Sequence, residues 1–352
     1  MTEGAAERVT IRDIAERAGV SKGAVSYALN GRPGVSDDTR QRILEIAREL
    51  GWYPNRAARA LSAARADACG LVLARSANVL AFEPFFMQFI AGVESELSAH
   101  SMALTIQLVR SEEEAVEVYR RWWGERRVDG ALMVDLCVDD PRVDELVRLG
   151  LPAVVVGGPV PGNVIPSVWH DEESVVLEAV RYLIALGHER IAHVTGVERY
   201  VHTQQRMTGV RRAAAEAGLE PLIVETDYST EAGARETRRL LSSPDAPTAI
   251  VFDSDLLAVT GLGVAQQMGF AVPDDVSIVG WDDSLISQVV HPPLTAITRD
   301  IANFGILAAK HLLAVIDGAR SDVEIARGVL TPRGSTGRRR TPAAATSGAP
   351  AR

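Results

Sequence analysis

The sequence predicts a small all-helical N-terminal unit carrying a helix-turn-helix, followed by a bilobed α/β body. Three observations carry that reading. Residues 10–50 place apolar side chains at helical spacing, interrupted by Gly19 and by serines able to cap helices. From Cys69 to Gly280, apolar runs alternate with helical stretches in two successive series. The 352-residue chain is 47% hydrophobic, enough for two or three domains with cores of their own.

The N-terminal unit is expected over residues 9–54, after a flexible leader at 1–8. Ile11, Ile14, Ala15 and Ala18 follow i, i+3, i+4, i+7, and Thr10 with Asp13 has the spacing of a capping box. Gly19 ends that helix. Ser21 can cap a second, in which Ala24, Val25, Ala28 and Leu29 turn inward while Lys22, Gly23, Ser26 and Tyr27 stay out. Ser36 starts a third, with Ile43, Ile46, Ala47 and Leu50 inward, before Gly51 and Pro54 stop it. The second helix has the form of one that enters a DNA major groove with its N-terminal turn against the bases. Residues 55–66, rich in Ala and Arg, read as a hinge too short to hold a helix alone.

Charge agrees with that division. The whole chain carries −9. Residues 1–65 hold eleven Lys and Arg against eight Asp and Glu, residues 333–352 hold five Arg and no acid, and the stretch between is left at −17. Positive charge gathered around the groove-binding motif is the footprint of a DNA reader, while the acidic body is repelled by phosphates.

In the body, strands are expected at 69–74, 103–109, 128–134 and 152–157, then at 190–196, 222–226, 248–252 and 276–280, with helices between them. Their weak alternation fits parallel sheets buried on both faces. Open parallel sheets bind ligands at the carboxyl ends of their strands, and those ends are polar here: Ser76, Asn78, Asp135, Asp253, Ser254, Asp255, Asp282 and Asp283, with Arg206 opening a helix. Acids at such ends also serve as helix caps, an alternative that stays open for Asp255 and Asp283. His188 is expected to cap or pack at a turn. Cys69 and Cys137 stand in apolar surroundings without ligand spacing, so core packing is expected, with no metal and no cofactor. No nucleophile elbow, zincin or phosphate-loop spacing occurs, which argues against an enzyme. The N-terminus lacks an apolar signal segment and no run of eighteen apolar residues appears, so a cytoplasmic protein without membrane contact is expected. Residues 334–352, basic and without apolar periodicity, read as a disordered tail.

The stretches VTIRDIAERAGVSKGAVSYALNG and VSDDTRQRILEIARELGWYPNRAARAL, with Gly280-Trp281-Asp282-Asp283, His291-Pro292-Pro293-Leu294-Thr295 and Leu186-Gly187-His188-Glu189-Arg190-Ile191, resemble the LacI/GalR family of bacterial transcriptional repressors. The resemblance spans nearly the whole chain. It implies a periplasmic-binding-protein-like effector domain over 67–333 whose chain crosses between lobes near Ser167, Ala296 and Arg320. The lobes would comprise 67–167 with 297–319, and 168–296 with 320–333. It also implies a repressor that binds a pseudo-palindromic operator as a homodimer, or as a tetramer built from dimers, and answers a small molecule such as a sugar. DNA contacts are expected from Thr10, Arg12, Ser21, Lys22, Gly23, Ser26, Tyr27 and Asn30, and in the hinge from Asn55, Arg56, Ala58 and Leu61. Leu61 stands at the family's intercalating leucine, able to wedge into a minor groove and kink it. Many members have Arg where Tyr27 stands, which implies a different half-site. Effector contacts are expected from Ser76, Asn78, Phe85, Asp135, Arg206, Ser254 and Asp282. Ser254 stands where most members have Asn, so the family's sugar preference does not transfer directly. A secreted solute-binding protein would share the body but lack the N-terminal unit.

Overall fold

Helix caps set the boundaries of the N-terminal unit in the computed structural model, which describes residues 9–52 and 65–339, apart from the side chains of Ala77, Asn78 and Ala81. The leader, the hinge residues Asn55, Arg56, Ala58 and Leu61, and the chain beyond Arg339 lie outside the described residues. The backbone divides into two units, meeting at Ala66 and Asp67. In the first, α1 (Ile11–Ala18), α2 (Lys22–Leu29) and α3 (Asp37–Glu49) close on a core of Ile14, Val25 and Ile43. The Thr10 backbone N–H donates to Asp13 Oδ2 at 2.7 Å, and Ser21 Oγ accepts from the Ala24 N–H at 3.1 Å. Gly19, at φ 63°, turns the chain between α1 and α2 in the left-handed region that glycine enters without strain. Ile11 departs from expectation: at 37% exposed it faces outward, because the core of so small a unit is already filled from the next turn.

The second unit contains two six-stranded sheets. The first is built from β1 (Ala68–Leu73), β2 (Ala103–Leu108), β3 (Gly130–Met133), β4 (Ala153–Val156), β5 (Ser167–Trp169) and β11 (Val323–Glu324), in the order β11-β5-β4-β3-β1-β2. The second holds β6 (Ile191–Thr195), β7 (Leu222–Glu225), β8 (Ala249–Phe252), β9 (Ser277–Asp282), β10 (Thr295–Thr298) and β12 (Val329–Thr331), in the order β12-β10-β9-β8-β6-β7. All pairs are parallel except β10 with β12. Helices of the first lobe are α4 (Ala77–Phe82), α5 (Pro84–Ala99), α6 (Glu112–Gly124) and α7 (Pro141–Leu149); those of the second are α8 (Glu172–Ala185), α9 (Val201–Glu216), α10 (Thr230–Leu241), α11 (Asp255–Gln267) and α12 (Leu285–Val289). Finally α13 (Ile301–Ile316) packs on α5 so closely that a Cβ at Gly92 would stand 1.9 Å from the Ala302 carbonyl oxygen.

The crossings lie later in the chain than expected. β5 belongs to the first sheet, so the chain leaves that lobe after Trp169 rather than near Ser167. It returns after Thr298, not at Ala296, because β10 runs its full length beside β9. β11 pairs with β5, so the last crossing falls between Glu324 and Val329 and not near Arg320. The tail boundary also shifts. Gly334–Arg339 is ordered: Ser335 is fully buried, its carbonyl accepts from the Ile278 N–H at 2.9 Å, and the Arg339 N–H donates to the Leu186 carbonyl at 3.0 Å. Backbone pairing, which composition does not reveal, holds this segment to the second lobe. Cys69 and Cys137 are both free and buried, and burial pushes each thiol up to about 12.

Candidate functional site

Two surfaces carry the expected site residues. On the first unit, Ser21, Lys22, Gly23 and Tyr27 are exposed along the N-terminal turns of α2, with Thr10 and Arg12 exposed on α1. Several of these side chains already have partners. Arg12 donates to Glu16 Oε1 at 2.9 Å, and Asn30 Nδ2 donates to the Ser26 carbonyl at 2.8 Å, which closes the end of α2. No partner of Lys22 is recorded among the described residues, and its ammonium extends from the first residue of the helix.

The second surface is a cleft between the lobes. It lies over the points where strand order reverses, with β1 flanked by β2 and β3, and β6 flanked by β7 and β8. Phe85, Asp135, Arg206, Ser254 and Asp282 line it, as do Arg75, Glu83, His170, Glu172, His202, Tyr228, Asp253, Arg299 and Phe304. Ser76 does not. Its hydroxyl accepts from the Val79 N–H at 3.3 Å and caps α4, while the preceding Arg75 supplies the cleft residue. Asn78 lies in α4, its side chain outside the described set. Ser254 lines the cleft, but its Oγ is taken by the Leu257 N–H at 3.2 Å as the cap of α11.

The guanidinium groups are held in carboxylate forks. Arg75 Nε and Nη2 donate to the two oxygens of Asp135 at 2.7 and 2.8 Å. Arg206 Nε donates to Glu172 Oε2 at 2.9 Å and its Nη1 to the Asp253 carbonyl at 3.0 Å, with the guanidinium carbon 4.0 Å from the Trp281 ring centre. Arg299, on the crossing between β10 and α13, donates from Nε to Asp282 Oδ1 at 2.7 Å and from Nη1 to Glu172 Oε1 at 2.9 Å. Asp253 also accepts from His193 Nε2, 2.7 Å away. Desolvation opposes the charge on Glu172, yet Arg206, His170 and Arg299 beside it outweigh that and hold its carboxyl well below the usual range. Asp135, Tyr228 and Asp282 adopt φ values of 54°, 66° and 82°, so the cleft holds backbone in a region that non-glycine residues seldom enter.

Two acids escape this pairing. Glu83, 5% exposed, keeps Oε2 without a partner; burial first, and then Asp282, pushes its carboxyl up to about 7. Asp255 sits behind the cleft and accepts from the Ser284 N–H, and burial followed by Asp282 pushes it up to about 8. Each contributes stability that is present below the ordinary carboxylate pKa and lost as pH rises through 7 to 8. Burial lowers His170 and His202 to about 4, so their contribution is present above the ordinary histidine pKa and lost as pH falls toward 4. Glu83→Gln should therefore gain on the wild type by about 2 kcal/mol between pH 5 and pH 8 in urea unfolding. Parallel pH profiles for the two proteins would remove the assignment.

The lobes also meet through a direct backbone contact. The Val138 N–H donates to the Arg199 carbonyl at 2.9 Å and the Val201 N–H to the Leu136 carbonyl at 2.8 Å, an antiparallel clasp with Cys137 opposite Tyr200. Arg199 pairs with Glu112 over it, and Arg75 reaches from the first lobe to within 4.4 Å of the Tyr228 ring centre. Sequence reasoning named neither this clasp nor Glu83, Glu172, His170 and Arg299. Glu83 had a signal, the Pro84 that opens α5; Arg299 had none before the crossing was located.

Among the described residues no helix is long and apolar enough to cross a membrane, and no group of His, Cys, Asp and Glu could hold a metal ion. Residues 10–55 match the model of bacterial regulatory proteins of the lacI family, and 180–336 match the periplasmic-binding-protein-like domain. The HTH-type transcriptional regulator AglR of Rhizobium meliloti is 34% identical over 340 residues, covering 94% of each chain. The HTH-type transcriptional regulator CelR of Thermobifida fusca is 33% identical, over 90% of this chain and 94% of that one. Among solved structures, the CelR–cellobiose complex superposes at a TM-score of 0.71 with 32% identity over 93% of this chain and all of that one. The lac repressor dimer bound to operator and an anti-inducer superposes at 0.82 with 25% identity, over 94% of this chain and all of that one.

Proposed function

Because this chain belongs to the lacI family of bacterial regulatory proteins, we propose that it is a cytoplasmic, non-enzymatic repressor that binds a pseudo-palindromic operator as a homodimer and is switched by a sugar in the cleft. The carrying observation is the pairing, in one chain, of a capped helix exposing Lys22, Gly23 and Tyr27 with a cleft lined by polar forks and by Phe85 and Phe304. One helix-turn-helix reads about half a site, so two-fold symmetry supplies the rest. Apolar side chains left exposed on both lobes support the dimer: Phe82 and Met87 at 70% and 63%, Leu285 and Val289 at 73% and 69%. The cellobiose bound by one relative supports the sugar, and the operator bound by another supports the DNA. Ligand preference for one arrangement of the lobes would shift the dimer between states with differently spaced N-terminal units.

In this reading Lys22 donates to a guanine edge, with Thr10, Arg12, Ser21, Gly23, Ser26, Tyr27 and Asn30 around it; Asn55, Arg56, Ala58 and Leu61 act in the hinge. Arg206 and Asp282 hold the effector, together with Phe85, Asp135 and Ser254. Lys22→Ala should weaken binding to a site selected from random DNA by about 1–3 kcal/mol and spare scrambled DNA. Fluorescence anisotropy at fixed salt measures both. Equal losses on the two DNAs would make Lys22 a phosphate contact, and a wild type unable to select any site would defeat the repressor reading.

A further inference from the structure

We infer that the cleft is built for an uncharged, hydroxyl-rich ligand and rejects phosphorylated or carboxylated ones, a narrowing that rests on reading the cleft as the effector site. The first ground is that its cations are already committed. Each guanidinium that lines it is held by a carboxylate: Arg75 by the half-buried Asp135, Arg206 by the buried Glu172, and Arg299 by Glu172 and the buried Asp282. An entering phosphate or carboxylate would have to displace one of these partners and leave it buried without a counter-charge, which is among the most unfavourable changes a protein interior can undergo.

Helix ends supply the second ground. The N-terminus of a helix is a ready anion site, because its N–H groups are unpaired and its dipole is positive there. Three of these ends around the cleft carry the chain's own acids, while α9, which starts at Val201, carries none. α5 starts with Pro84, which has no N–H, behind Glu83; Glu172 is the first residue of α8; Asp255 is the first residue of α11.

Glu83 is the third. Its carboxyl is buried on the cleft wall with Oε2 unpartnered, positioned to accept from or donate to a ligand hydroxyl and to repel an anion. His170 lines the same wall with Nδ1 unpartnered. In total five carboxylates face three guanidiniums in the cleft. Aromatic faces at Phe85 and Phe304 and free polar atoms at Glu83 and His170 suit a ring bearing hydroxyls. The surplus of acid does not suit a dianion.

The test uses the full-length protein and follows the unfolding transition of the body with glucose, glucose 6-phosphate, glucuronate, cellobiose and inorganic phosphate as probes. An uncharged sugar should bind at least about tenfold tighter than its phosphate or its uronate. Inorganic phosphate should raise the melting temperature of a Glu83→Gln/Glu172→Gln variant, in which Arg206 and Arg299 both lose the Glu172 carboxylate, more than that of the wild type. Asp135→Asn, which frees Arg75 instead, carries the same comparison if the double variant does not fold. A charged sugar that stabilises more than its uncharged parent overturns the inference, as does an equal phosphate response in wild type and variant. Operator binding is read separately by mobility shift, so loss of the repressor reading and loss of the charge preference are distinct results.

Discussion

Arg206→Ala is expected to destabilise the body by roughly 3–5 kcal/mol and to abolish the response to any cleft ligand. The size follows from what is left behind. Glu172 loses one of its two guanidinium partners, the Asp253 carbonyl loses a donor, and the Trp281 ring loses the guanidinium stacked 4.0 Å away, all where exposure is below a tenth. Arg206→Lys should recover only part of this, since an ammonium cannot reach carboxylate, carbonyl and ring together. Operator affinity without ligand should persist if the ligand is an inducer, because the DNA-binding helices fold on a core of their own. Urea unfolding, calorimetry with the best sugar and mobility shift separate the three effects. Unchanged ligand affinity in calorimetry would remove Arg206 from the site.

The next largest effect is expected where α5 meets α13. A methyl group at Gly305 would stand 2.2 Å from the Phe89 carbonyl oxygen, and neither backbone can yield without parting the helices. Gly305→Ala should lower stability by about 3 kcal/mol, measured as a fall in melting temperature. It should also weaken ligand binding, since α13 carries Phe304 and follows Arg299 directly. A variant that melts with the wild type would mean that the helix pair is looser than its spacing implies.

How far the sequence was readable depends on the range of the interactions involved. The face of α2 was legible because Ser21, Val25 and Ala28 fix the register of eight residues locally. Asp135, Arg206 and Asp282 were legible because a strand's end, or a helix's start, aims its side chain into the crevice. Glu172 and Arg299 were not, since their role arises from being brought together across 127 positions of sequence. The crossings were misplaced for a related reason. β5 and β11 span three and two residues, too short for any periodicity, and only pairing identifies them, β5 with β4 and β11 with β5. Gly334–Arg339 read as disordered because its composition is that of a solvated tail, whereas its order comes from Ile278, Thr295 and Leu186 far away in sequence. Ile11 carried the right spacing in a unit with no room left to bury it.

The clasp between Leu136–Val138 and Arg199–Val201 bears on time as well as affinity. It ties the two lobes together, so parting them breaks two backbone hydrogen bonds and the Arg199–Glu112 pair at once. A ligand of the cleft would then be captured and released through a lobe-opening step, which sets rates as well as affinity.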